Sequence, residues 1–157
     1  MKKPLSTIPK IESEEMLLNI QRNNYPSLLI DENHQFWLMT NTRKELKMTP
    51  LCKALYLLFL KHPAGISLYE LYNHQSELFD LYKKISRKHD YTAMRTSIAQ
   101  LVNRCDNSIH EKTARIKALF KHHLPPAIAH LYYIQGKRGE EKCISLPRDL
   151  VVYAHSI

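Results

Sequence analysis

The sequence predicts a helix-rich α+β fold with a short β-hairpin near each end. Apolar residues recur with helical spacing in four segments between residues 49 and 123, and short alternating segments flank them at residues 27–39 and 132–146. A chain of 157 residues is long enough to bury a core and fits a single domain. We therefore expect one domain over residues 25–157, preceded by an arm at residues 1–24 that lacks a strong pattern.

The N-terminal half predicts a strand pair followed by a core helix. The segment SLLIDENHQFWLM, residues 27–39, favours two strands around a turn at residues 31–33. Thr49 and Pro50 are a typical N-cap and first helical residue, and the helix predicted over 49–62 is apolar nearly all round. It should end at His62-Pro63, and the residues after the next turn could form one short bridging strand around Ile66.

Three further helices are predicted before the C-terminal hairpin. Residues 67–70, Ser-Leu-Tyr-Glu, fit a capping box and predict a second helix with Leu68, Tyr72 and Leu78 on its buried stripe. A third helix is expected over about 92–105, burying Cys105 near its end. A second capping box at residues 108–111 predicts a fourth helix over 108–123.

The segment YYIQGKRGEEKCISL, residues 132–146, alternates apolar and polar residues around a glycine-containing, charged centre. This pattern predicts a β-hairpin whose tip carries Lys137 and Arg138. A strand pair, a helix, a short strand, further helices and a terminal hairpin are the element order of a winged helix-turn-helix domain. The hairpin would be the wing, and we predict this fold.

One family resemblance supports the same fold. Residues 45–71, ELKMTPLCKALYLLFLKHPAGISLYEL, resemble the start of the DNA-binding effector domain of two-component response regulators, through the Met-Thr-Pro cap, the leucine-rich helix and the His-Pro-Ala-Gly turn. The resemblance implies DNA binding. Phosphorelay signalling is not carried over, because there is no room upstream for a receiver domain, and two helices, rather than one, separate the second helix from the wing. Residues 107–120 and 132–151 also resemble a bacterial family of small basic proteins, which implies no activity.

The charge distribution points to a polyanionic partner. The net charge is +8, and residues 107–147 hold seven Lys/Arg against three Asp/Glu. The predicted function is therefore double-stranded DNA binding by a transcriptional or mobile-element regulator. We expect DNA contacts from the fourth helix and the hairpin tip, namely from His110, Lys112, Arg115, Lys117, Lys121, Lys137 and Arg138.

Two alternatives stay open. The third helix presents Arg95, Gln100 and Asn103, residue types that read base edges, so it competes with the fourth helix, which we favour, for the role of recognition helix. A protein-interaction winged helix could instead dock an acidic partner on the same surface. The sequence leaves a homodimer open as well.

Motifs for other functions are missing from the sequence. Three distant cysteines form no C-x-x-C pair, His110-Glu111 lacks the H-E-x-x-H spacing, and three glycines cannot build a phosphate loop. Adjacent histidines such as His122 and His123 point about 100° apart on a helix, which disfavours a shared metal. We expect a cytoplasmic protein that has neither enzymatic activity nor a cofactor, metal site or membrane partner.

Overall fold

A computed structural model describes residues 25–87 and 89–154, and within them the chain has an α+β architecture of five α-helices and a four-stranded mixed sheet. The expected arm at residues 1–24 lies outside the described residues. The strands are β1 (Ser27–Ile30), β2 (Phe36–Met39), β3 (Arg43–Leu46) and β4 (Val151–Tyr153). The helices are α1 (Pro50–Lys61), α2 (Gln75–Ile85), α3 (Tyr91–Val102), α4 (Ser108–His123) and the single-turn α5 (Pro126–Ala129).

The sheet has the order β3-β2-β1-β4, with β1 antiparallel to β2 and parallel to β4. The predicted strand pair at 27–39 is confirmed, since Ser27 pairs with Met39 and Ile30 with Phe36. Its turn is held by the Asp31 carboxylate, which accepts hydrogen bonds from the backbone of Asn33 and Gln35 and from the Trp37 indole. Alternate side chains cover the core, and five of them are fully buried: Leu28, Ile30, Phe36, Leu38 and Leu46.

Helix α1 is the central core helix, as predicted. The Thr49 hydroxyl caps it by accepting a hydrogen bond from the Cys52 amide, and nine of its twelve residues are buried. Tyr56 lies in the middle of α1, with its ring against Phe36 of the sheet and Phe120 of α4. Sheet, α1 and the remaining helices thus share one hydrophobic core.

The predicted start of the second helix is wrong. Residues 67–70 form turns, a 3-10 turn follows at Leu71–His74, and α2 begins only at Gln75. The Ser67 hydroxyl accepts a hydrogen bond from the Tyr69 amide, two residues on, so this serine stabilises a local turn instead of capping a helix. The 3-10 turn shifts the helical register, and Tyr72 is consequently exposed rather than part of a buried stripe.

Helices α3 and α4 lie where the sequence predicts, but α3 ends earlier than expected and α4 lacks the expected cap. Helix α3 stops at Val102, and Cys105 lies exposed in the following turn, where its amide donates to the Asn103 side chain. Helix α4 spans the predicted residues 108–123 without the predicted cap. The Ser108 amide donates to the Asp106 carboxylate, an Asx turn that satisfies one backbone amide at the start of α4.

The C-terminal hairpin is present with minimal pairing. Gln135 and Cys143 exchange two backbone hydrogen bonds of 2.9 and 2.8 Å. The predicted bridging strand is also confirmed, because Ile66 exchanges two backbone hydrogen bonds with Lys142. Three chain segments around residues 66, 135 and 143 therefore lie side by side, and Tyr132, Tyr133 and Ile134 anchor the hairpin base in the core.

Candidate functional site

A groove of about 940 Å3 lies between helix α4 and the hairpin. Exposed residues of α4, spaced three or four apart, form one wall, and the hairpin with its tip forms the other. The turn that joins α3 to α4 closes one side. The charged and aromatic side chains that line it include those of Tyr69, Arg104, His110, Lys117, Tyr133, Lys137, Arg138 and Lys142.

The groove brings together four of the seven predicted site residues. His110 and Lys117 line it from α4, and Lys137 and Arg138 line it from the hairpin tip. Lys121 is not among the lining residues, but it lies one turn beyond Lys117 on the same side of α4 and is exposed.

The other two predicted residues, Lys112 and Arg115, do not line the groove. Their spacing from His110 and Lys117 places them on other sides of the helix, because neighbours on one helical face recur every three or four residues. The basic residues of 112–121 and the hairpin tip therefore share one face only in part.

The groove is strongly basic. Of the described residues that line it, five are Lys or Arg and one, Glu140, is acidic. Burial lowers the pKa of His123 at the end of α4, and His122 and Lys44 lower it further, so this histidine is neutral at pH 7. His123 lies outside the groove lining, and the lysine and arginine side chains that line it belong to α4, the α3–α4 turn and the hairpin.

Two aromatic rings position basic side chains at this groove. The Lys117 ammonium lies 5.4 Å from the centre of the Tyr133 ring, and the Arg104 guanidinium lies 4.8 Å from that of Tyr69. Such contacts favour a cation over the ring face. They leave hydrogen-bond donors of both cations available to an anion.

Lys142 has a structural part in the groove. Its ammonium donates to the carbonyl oxygens of Gly136, at 2.6 Å, and Lys137, at 3.3 Å. It thereby crosses the hairpin and holds the chain that leads into the tip. Lys137 and Arg138 are consequently presented from a loop whose base is fixed.

Sequence reasoning missed Arg104, Tyr69 and Lys142 as groove residues. Arg104 and Tyr69 lie in turns that only the packing of α3, α4 and the hairpin brings together. The predicted hairpin was a usable signal for Lys142, because pairing of its two strands brings residues on either side of the loop close together.

The competing face of α3 is also open. Arg95, Thr96, Ala99, Gln100 and Asn103 are all exposed. A smaller depression of about 590 Å3 lies beside this helix, and Ala99 and Asn103 line it. Tyr69 and Arg104 line both the depression and the groove, so the two surfaces adjoin.

No protein-family model, curated protein or solved structure gives a significant match to this chain. None of the helices within residues 25–87 and 89–154 is long and apolar enough to span a bilayer.

Proposed function

We propose that this protein binds double-stranded DNA through the α4–hairpin groove and acts as a winged-helix regulator. The observation that carries the proposal is the charge of the groove, with five Lys or Arg side chains against one carboxylate. A protein that neutralises several phosphates gains affinity by releasing counterions from the duplex. Lysine and arginine side chains that line one groove from α4, the α3–α4 turn and the hairpin suit such a partner.

The strand pairing around the hairpin supports the winged-helix assignment. Ile66, which follows the first helix, pairs with the outgoing strand of the hairpin at Lys142, and the incoming strand at Gln135 pairs with Cys143. A short strand after the first helix that joins a C-terminal hairpin is what a wing requires. The extra helix between α2 and the hairpin is a departure from the arrangement in response regulators.

In the proposed complex, α4 enters the major groove and the hairpin tip contacts the flanking backbone. Lys117 and Lys121 lie on one side of α4 and would contact phosphates, as would Lys137 and Arg138 at the tip. Such contacts set the position of the protein on the duplex. Base recognition would have to come from the uncharged part of the same face, which includes Thr113 and Ala114.

A salt titration of binding to random-sequence duplex DNA tests the proposal. Wild type should lose affinity log-linearly with salt, with a slope of about −0.9 per phosphate contact. The double variant Lys137→Ala/Arg138→Ala should flatten the slope by about 1.8 units, while stability changes by less than about 0.5 kcal/mol because both side chains are exposed. Lys117→Ala/Lys121→Ala should weaken binding to every DNA sequence.

The matched control is Lys112→Ala/Arg115→Ala, which removes two positive charges from the same helix outside the groove. The salt dependence of DNA binding by this control should match that of wild type to within about half a phosphate contact. If the control and the groove variants lose equal affinity, binding depends on net charge alone and not on the groove. Gln100→Ala/Asn103→Ala should leave binding unchanged, and a loss of sequence preference there would make α3 the recognition helix. If folded wild type binds no duplex at low salt, the DNA proposal fails and an acidic protein partner becomes the better hypothesis.

A further inference from the structure

Three side chains with metal-binding atoms meet at the junction of α1 and α2, and none of the three lines the groove. His62 is the C-cap residue directly after α1, His74 closes the 3-10 turn, and Glu77 lies in the first turn of α2. One ligand atom from each of the three side chains lies within 4.8 Å of the other two. No other group of three such side chains is this close within residues 25–87 and 89–154.

The distances in this cluster are close to those of a metal site. The Nε2 atom of His62 lies 3.0 Å from Oε2 of Glu77, and the Nδ1 atom of His74 lies 3.5 Å from the same oxygen. Zinc binds histidine nitrogen and carboxylate oxygen at about 2.0–2.2 Å, so ligands of a tetrahedral ion are about 3.3–3.6 Å apart. Two of the three separations therefore need little change, and the third, between the two imidazole nitrogens, is no more than 4.8 Å.

The surroundings favour coordination. The three side chains retain 25–39% of their exposure, so an ion and one water molecule can reach them while much of each ring is packed. The two imidazoles lie nearly edge to face, with centres 4.7 Å apart and planes at 71°. Both rings thus converge on the same carboxylate.

The backbone that carries the ligands is held from several directions. The His62 amide donates to the Phe59 carbonyl, and the His62 carbonyl accepts from the Gly65 amide. Helices α1 and α2 pack against each other, with Leu58 and Leu78 fully buried. Ligand side chains that are carried on packed elements lose little conformational entropy when an ion binds.

We propose that His62, His74 and Glu77 bind one divalent transition-metal ion of the zinc class. Two imidazole nitrogens and a carboxylate oxygen suit Zn²⁺, and also Co²⁺ or Ni²⁺, better than Mg²⁺ or Ca²⁺. The fourth position of a tetrahedral ion would hold water. The ion links the end of α1 to the start of α2, and so stabilises the turn that leads from His62 to Ile66 and the hairpin.

This site is independent of DNA binding, and its test needs only the full-length, tag-free protein and the metal. Chelator-treated protein is titrated with Zn²⁺ by calorimetry, and separately with Co²⁺, whose visible absorption reports tetrahedral coordination. We expect one ion per chain and a thermal midpoint that rises with free Zn²⁺. Loss of even an outer-shell partner lowers metal affinity by about 10–100-fold, so His74→Ala and Glu77→Gln should each weaken binding at least that much.

The matched control is His122→Ala/His123→Ala, which removes two neighbouring histidines, with ring centres 5.0 Å apart, outside the cluster. It should bind Zn²⁺ like wild type. Thermal unfolding in chelator checks that each variant is folded, and Glu77→Gln preserves the size of its side chain if an alanine variant proves unstable. Absence of Zn²⁺ binding in wild type, or binding that survives both cluster variants or disappears in the control, would overturn the proposal.

Discussion

Replacing Tyr56 with phenylalanine removes one buried hydroxyl and leaves the ring in place. Tyr56 is fully buried in α1, and its hydroxyl donates a 2.6 Å hydrogen bond to the backbone carbonyl of Tyr132 at the base of the hairpin. The phenylalanine ring would keep the contacts with Phe36 and Phe120. The variant therefore isolates the polar link between the core helix and the hairpin.

The expected loss follows from leaving a buried acceptor without this donor. Such a group costs about 1–3 kcal/mol, so Tyr56→Phe should lower the free energy of unfolding by that amount. With a urea dependence of about 2 kcal/mol per molar, the unfolding midpoint should fall by about 1 M. Tyr132→Phe is the matched control: its hydroxyl donates to the half-buried Pro26 carbonyl, which water can reach, so about 0.5–1.5 kcal/mol is expected.

Alkaline pH gives a second readout. Burial raises the pKa of the Tyr56 hydroxyl well above its ordinary value, against the opposing effect of Arg148. Because the folded pKa is raised, this tyrosine stabilises the fold fully below the unfolded pKa of about 10 and progressively less as pH rises above it. The stability difference between wild type and Tyr56→Phe should therefore shrink above pH 10. A Tyr56→Phe midpoint equal to that of wild type at pH 7 would refute the reasoning.

Two further predictions concern the hairpin and its anchor. Arg148 donates to four backbone carbonyls, two at the end of α1 and two in residues 144–146. Arg148→Ala should therefore lower the free energy of unfolding in urea by about 2–3 kcal/mol. A loss below about 0.5 kcal/mol would show that water replaces these hydrogen bonds. A Cβ on Gly136 would overlap the Glu141 carbonyl oxygen, whereas one on Gly139 meets open space and carries only the cost of a positive φ, about 1–2 kcal/mol. Gly136→Ala should therefore destabilise more than Gly139→Ala, and the reverse order would contradict the close approach.

The sequence alone determined the elements whose signals are local. Thr49, Pro50 and an unbroken apolar run specify the core helix, because a cap and side-chain burial act within one segment. The turn after β1 was predictable for the same reason, since the Asp31 carboxylate binds backbone amides only two and four residues away. The helical span 108–123 and the terminal hairpin also follow from short-range periodicity and turn residues.

Tertiary structure decided what depends on contacts between distant segments. β4 pairs with β1, which lies more than a hundred residues before it in the chain, and no pattern in the sequence predicts that pairing. The charged strand β3 was missed because an edge strand with an exposed face lacks the apolar alternation used to predict strands. The start of α2 moved to Gln75 because the 3-10 turn places Leu71 in the core and leaves Tyr72 in solvent.

The same distinction separates the two candidate sites. Lysine and arginine near the hairpin could be read from composition, but only packing shows that Lys117 and Arg138 line one groove while Arg115 does not. His62 and Glu77 are fifteen residues apart and belong to different parts of the chain, so no short metal-binding motif in the sequence predicts them. Their approach follows from the angle at which α1 and α2 pack, which is set by the shape of the whole core and by no single segment.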